Sequence, residues 1–148
     1  VTRRQRQMCI RDRCGAVESA VMDQKDKDVV IVEGQGSILH PGSSATLPLM
    51  RGTCPTHMIL CHIARNHSLR SLENIKIPDL KKFIDLNEQV ASVLGTYPDA
   101  KVIGVALNTF QMENNEALEM INKVEENTGL PSTDVIRYGG DKIFDELL

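Results

Sequence analysis

Three short runs of consecutive apolar residues constrain this chain more than any other feature: Val29–Val32 between Asp28 and Glu33, Met58–Cys61 within Thr56–His62, and Val102–Leu107 after Lys101. A strand that is apolar on both faces must be covered on both, as happens in a parallel sheet lying between layers of helix. The stretches between the runs change period. Leu80, Phe83, Ile84, Val90, Ala91 and Leu94 recur at helical spacing, with Asp79 placed to cap the helix and Gly95 to close it. Ala117, Leu118, Ile121 and Val124 form the apolar stripe of a second helix over 114–128, ended by Gly129 and Pro131. Shorter helices are predicted over 15–25, over 45–51 (Ser43 or Ser44 as cap, Pro48 in its first turn) and over 141–147. Residues 134–138 read as a fourth strand and 63–78 as a loop. Asn87 falls on the apolar face of its helix and is expected to bond to the loop at 34–44. Strands alternating with amphipathic helices predict an α/β fold with a mainly parallel sheet and flanking helices.

The rest of the composition removes several classes of function. Aromatic residues make up 3% of the 148 residues and Trp is absent, which argues against a base-stacking platform for single-stranded nucleic acid. No apolar run approaches the roughly 20 residues of a membrane helix. The four cysteines, Cys9, Cys14, Cys54 and Cys61, form no Cys-x-x-Cys pair and no zinc spacing, and read as buried, reduced thiols of a cytoplasmic protein. The net charge of −3 is uneven: residues 1–13 carry +4, which leaves −7 on residues 14–148. An acidic body offers no general attraction to nucleic acid.

The basic start, RRQRQMCIRDR at 3–13, has neither helical nor strand period. It could be a nucleic-acid-binding arm or an organellar address, but it lacks Ser and an amphipathic face. The reading preferred here is a non-native segment, 1–13, derived from a sequencing adapter, so that the natural sequence extends upstream of Cys14.

In parallel α/β sheets the ligand lies beyond the carboxyl ends of the strands, where the connecting loops gather. That selects Glu33 to His40, His62 to His67, Asn108-Thr109, and Tyr138 to Asp141. Glu33 could hold Mg²⁺ while loop amides face an anion, or it could be a solvated strand-end carboxylate. Gly34 and Gly36 suit either a phosphate loop or a tight turn. His40 and His62 titrate near neutral pH and could move a proton, or could be polar loop residues. Cys61 and His62 are adjacent, so on a strand they face opposite ways and cannot easily share a metal ion. Asn108 could read the edge of a base through its amide, or lead a turn.

Several of these segments together resemble a known family. VVIVEGQGSILHP at 29–41, SSATLPLMRGTCPTHMILCH at 43–62, IPDLKKFIDLNEQVA at 77–91, VIGVALNT at 102–109 and GLP at 129–131 resemble, in order, the motifs of the DgcN-like family, whose characterised branch comprises D-glutamate N-acetyltransferases. Ala45 and the Ile63–Asn66 segment depart from its pattern. The resemblance implies a two-domain parent in which residues 14–148 are the later part of a C-terminal P-loop-type domain similar to dethiobiotin synthetase. The family's phosphate-binding loop would lie upstream, since no Gly-x-x-x-x-Gly-Lys-Ser/Thr occurs here.

By that resemblance Glu33, Gly34, Gln35, Gly36 and Ser37 would face phosphates, with Glu33 at a metal, and Asn108 would face the base or acyl-donor side. The implied activity of the parent is acetyl transfer from acetyl-CoA to the amine of D-glutamate or a related amino acid, with His40, then His62, as base. Acetyl-CoA or a nucleotide, with Mg²⁺, is the expected cofactor set. The expected partners are the amino-acid substrate, the protein's own N-terminal domain and further copies of the chain, with no nucleic acid and no membrane. An ATP-dependent ligase or NTPase on the same fold, or a non-catalytic nucleotide-binding module, is the alternative. Residues 14–148 alone are expected to be marginally folded and inactive, because a sheet without its upstream strands has an open edge.

Overall fold

The structure, a computed structural model, describes residues 13–34, 36–69 and 72–147. The chain divides into two units, Val1–Pro55 and Thr56–Leu148.

Among the described residues of the first unit, α1 (Arg13–Met22) and α2 (Thr46–Thr53) are the helices. They approach closely at Gly52, which is buried: a Cβ there would stand 2.9 Å from the Cβ of Val17. Pro48 sits in the first turn of α2, where a missing N–H costs no helical bond. Neither Ser43 nor Ser44 occupies the cap position. Ala45 does, and the Ser43 hydroxyl instead lies 2.5 Å from that of Thr46.

The expected strand at 28–33 does not form. Residues 29–34 have no regular structure and Ile31 is 90% exposed. A strand exists only through its ladder with a neighbour, and no strand among the described residues pairs with this segment.

The second unit is a three-stranded parallel sheet flanked by helices, in the order β1 (His57–Ile63), β4 (Lys101–Asn108), β5 (Ser132–Thr133). Between β1 and β4 come an antiparallel pair, β2 (Ser68–Leu69) and β3 (Leu72–Lys76), and then α3 (Leu80–Ser92). The loop predicted for 63–78 therefore contains a small hairpin, whose short strands were too brief to register as alternation.

Central β4 is buried from Val102 to Val105 and at Leu107. Its register against β1 runs from Met58↔Val102 directly to Ile59↔Gly104, so Ile103 is an extra residue. That bulge resets the period-2 alternation. Val102 and Val105, three apart, consequently join Leu107 in one core with Ile84 of α3 and with Ile121 and Val124 of α4 (Asn114–Thr128). Met58 and Leu60 of β1 pack against that core, while Ile59 and Ile63 on its other face stay half exposed. β1 is thus covered on the face that carries Met58 and Leu60.

The two long helices form on their predicted stripes, but the first ends at Ser92 rather than at Gly95: Val93 and Leu94 are already left-handed, at φ 49° and 55°, and Leu94 is exposed instead of lying on the buried face. The Asp79 side chain accepts a hydrogen bond from the Lys82 amide at 3.3 Å. Glu113 and Glu116 make a reciprocal capping box on α4, which Gly129 ends at φ 72°. Asn87 does not reach a loop: its amide donates to the Phe83 carbonyl at 2.7 Å, one turn back in its own helix.

The segment read as a fourth strand is also different. β5 comes earlier, and Val135–Tyr138 is a one-turn helix, α5, followed by α6 (Asp141–Phe144) and a 3₁₀ turn, Asp145–Leu147. Asp134 causes this, since its carboxylate accepts from the amides of Ile136 at 3.0 Å and Arg137 at 3.2 Å and so starts a helix. The cysteines differ from expectation as well: Cys14, Cys54 and Cys61 are exposed free thiols, and Cys9 lies outside the described residues.

Candidate functional site

The carboxyl ends of β1 and β4 and the start of α5 enclose a cleft of about 500 Å³ in the second unit. It is lined by His62 and Ile63 from β1, Leu107, Asn108 and Phe110 from the end of β4, and Asp134 to Arg137 beyond β5. This is the edge of a parallel sheet at which ligands bind. Two of the candidates from the sequence, His62 and Asn108, meet here. The two strand ends are tied together by the Ala64 amide, which donates to the Asn108 carbonyl at 3.0 Å.

His62 is half-buried, and its burial, followed by the nearby charge of His67, lowers its pKa from 6.5. The neutral imidazole, able to accept a proton, is therefore the favoured form at neutral pH. Past it the chain turns at Arg65, which adopts a left-handed φ of 62° and pairs with Glu116 in the first turn of α4 at 2.9 Å.

Asn108 is exposed at the lip. Its side-chain oxygen accepts from the Phe110 amide at 3.0 Å, so the group it has to offer a ligand is its NH₂ donor. Phe110 and Ile136 stand at the cleft's edge 84% and 92% exposed.

Behind this lip lies a buried polar cluster that the sequence reading did not single out. The Asp134 carboxylate is 3% exposed, and one of its oxygens accepts from the Thr109 amide at 2.9 Å and from the Thr109 hydroxyl at 2.5 Å. Burial pushes this carboxyl's pKa up. The hydrogen bonds from Thr109, Arg137 and Ile136 outweigh that and hold it below the ordinary 3.8. Arg137 reaches back to the carbonyls of Thr109 (3.1 Å) and Met112 (2.6 Å) and to the side-chain oxygen of Asn114 (2.6 Å). A signal existed in the sequence: Ser132-Thr133-Asp134 after Pro131 is also a helix-start pattern, and reading 134–138 as a strand hid it.

The other candidates belong to the first unit. Glu33 is exposed, and Gln35 lies outside the described residues. Gly34 would place a Cβ 2.9 Å from the end of the Leu49 side chain. Gly36 has φ 91°, and a Cβ on it would lie 2.6 Å from the Ser43 hydroxyl, so both conformation and space call for glycine. The Ser37 hydroxyl accepts from the Leu39 amide at 3.2 Å, and His40 Nδ1 accepts from the Gly42 amide at 3.0 Å. With Nδ1 so occupied, neutral His40 carries its proton on Nε2. Among the described residues no group of three or more His, Cys, Asp or Glu side chains gathers as a metal cage. Among them, too, no helix is long and apolar enough to cross a membrane.

Comparison with known proteins agrees with this architecture. Residues 7–144 match a domain of unknown function described as the DUF1611 C-terminal P-loop domain. A solved DUF1611 family protein from Anabaena variabilis ATCC 29413 is 44% identical and superposes with a TM-score of 0.88, over 90% of this chain and 39% of that one. A D-glutamate N-acetyltransferase from a Pseudoalteromonas species is 32% identical over 130 residues, 87% of this chain and 39% of the relative. One from Tritonibacter scottomollicae is 31% identical over 134 residues, 90% of this chain and 40% of the relative. The chain thus spans about two-fifths of the length of the curated relatives it matches.

Proposed function

The chain belongs to the DUF1611 family, as its C-terminal P-loop domain, and from that premise we propose that the whole protein transfers an acetyl group from acetyl-CoA to the amine of D-glutamate or a closely related amino acid. The observation that carries this reading is that two curated relatives, 32% and 31% identical over 87% and 90% of the chain, are named D-glutamate N-acetyltransferases.

In the reaction the acceptor's free amine forms a bond to the thioester carbonyl carbon. The nitrogen gives up its second proton, the carbon–sulfur bond breaks, and the CoA thiolate leaves and takes up a proton, so that an amide and a free thiol result. The acceptor arrives as an ammonium ion, so a base must remove a proton first. We assign that proton to His62, because it lines the cleft and its pKa is lowered, leaving the ring neutral and able to accept. His40, the other candidate, has its acceptor nitrogen Nδ1 taken by the Gly42 amide, so in this geometry its ring offers an Nε2 N–H to donate and no free nitrogen to take up the proton.

Residues 33–37 are assigned to the donor phosphates. A single exposed carboxylate, Glu33, suits Mg²⁺, which is commonly bound by one or two carboxylates with phosphate oxygens and water. The ion would neutralise phosphate charge. Within the second unit, Asn108 is assigned to the base or acyl side of a ligand through its NH₂, since its oxygen is used by the Phe110 amide.

The test uses the full-length protein with acetyl-CoA and D-glutamate, following CoA thiol release and the N-acetylated product, with ATP hydrolysis assayed in parallel. Product formation that falls at least about a hundredfold in His62→Ala is expected, the usual scale for losing a general base. Phosphate release from ATP without CoA release would replace this reading with an NTPase or ligase.

A further inference from the structure

The polar cluster behind the cleft joins residues that are distant in the chain. Thr109 is 1% exposed, and its amide and hydroxyl are bound by Asp134 while its carbonyl receives Arg137 and the Met112 amide. Asp134 and Arg137 lie 25 and 28 residues further along the chain. The same carboxylate that holds Thr109 also starts α5, which carries Ile136 and Arg137. Two sides of the cleft, the turn after β4 and the start of α5, are therefore fastened to each other through one buried carboxylate and one guanidinium. The residues this fastening flanks, Asn108 and Phe110, line the cleft.

Burying a carboxylate is costly unless its hydrogen bonds are satisfied, and here both oxygens are used. The bonds of Asp134 and Arg137 converge on the lip. We propose that Asp134 and Arg137 are positioning residues: they hold the Asn108–Met112 turn in its ligand-facing form and thereby set the affinity of the cleft for the acyl donor. This rests on the acetyltransferase reading for the identity of that donor, and on the hydrogen-bond geometry alone for the fastening itself.

The experiment uses the full-length protein and two measurements. Thr109→Val keeps the size and backbone of Thr109 but removes the hydroxyl donor, Thr109→Ser restores it, and Arg137→Ala removes the guanidinium. Hydrogen exchange at the Thr109 and Phe110 amides is expected to speed up about tenfold or more in Thr109→Val and Arg137→Ala, the scale of one lost hydrogen bond to a charged group. Thr109→Ser should recover most of it. With acetyl-CoA as the varied substrate, KM should rise about tenfold in the same two variants, with kcat within about twofold of the starting protein, again the scale of one such bond.

Unchanged exchange in both variants would overturn the proposal whatever the activity does. Faster exchange with an unchanged KM would overturn it as well, by showing a fastening that serves stability alone, and so would a loss confined to kcat. A starting protein that releases no CoA from acetyl-CoA defeats the acetyltransferase reading instead. Direct calorimetric binding of acetyl-CoA and of ATP to the same variants then decides the positioning role: a weakened complex with either supports it, and equal affinity in all variants overturns it.

Discussion

A Cβ on Gly104 would stand 2.8 Å from Cγ2 of Ile143, closer than real side-chain carbons pack. The face of β4 opposite the main core is therefore shaped to admit the Ile143 side chain of α6, which is 3% exposed. Gly104→Ala is expected to destabilise the protein by about 1–3 kcal/mol, the usual range for overpacking a filled site. Chemical denaturation measures it. Combining the change with Ile143→Ala, which removes both γ carbons that the added Cβ meets, should cost less than the sum of the two single changes; simple additivity would show that they do not compete for the same space.

Stability should depend on pH through Asp134. Its folded-state pKa lies below 3.8, so the unfolded chain takes up that proton first as the pH drops. The carboxylate's contribution is complete above the unfolded value and is lost as the pH falls through the depressed folded value. Asp134→Asn is expected to lower stability at pH 7 and to flatten the acid limb of the stability profile. An acid limb identical in the variant would mean that other carboxylates govern it.

His62 should titrate below 6.5 in an NMR pH series, because burial and then His67 disfavour its charged form. Replacing the neighbour, in His67→Gln, removes the second cause and leaves the first. The His62 pKa is expected to rise without reaching 6.5. With a depressed folded pKa, its contribution to stability is complete above 6.5 and diminishes as the pH falls through the lowered value.

Gly36→Ala should cost about 1–3 kcal/mol, because a β-carbon there meets a left-handed φ of 91° and the Ser43 hydroxyl at 2.6 Å together. Thermal unfolding reports the loss. Ser43→Gly added to Gly36→Ala should return the steric part and leave the conformational part, so full recovery would show that φ at this position is not strained by a side chain.

Much of the second unit was legible from residues close in sequence. The apolar run Val102–Leu107 and the stripe from Ala117 to Val124 with Gly129 after it located β4 and α4 close to their observed ends, and the stripe from Leu80 to Leu94 with Asp79 before it located α3, which stops at Ser92, short of the expected Gly95. Each of these signals is complete within one element, since a helix supplies its own hydrogen bonds and its own caps. His62 and Asn108 were legible as site residues for a related reason: each lies at the carboxyl end of a strand that the pattern had located.

What local pattern could not decide was pairing. Val29–Val32 is as apolar as β4, yet it makes no ladder among the described residues, because a strand needs a neighbour that its own sequence does not name. Ile103 gives no sign in the sequence of being the extra residue that brings Val102 and Val105 to one face; only the register against β1 creates that bulge. Asp134 carries the same lesson. Its residue type admits a strand end or a helix cap, and the four donors that settle the matter include two from Thr109, 25 positions earlier. By itself the sequence determined an α/β chain with these helices and a central buried strand, since those preferences are written in neighbouring residues. The tertiary structure alone decided which strands pair, where the bulge falls and how the cleft is fastened, since each requires groups distant in the chain to meet.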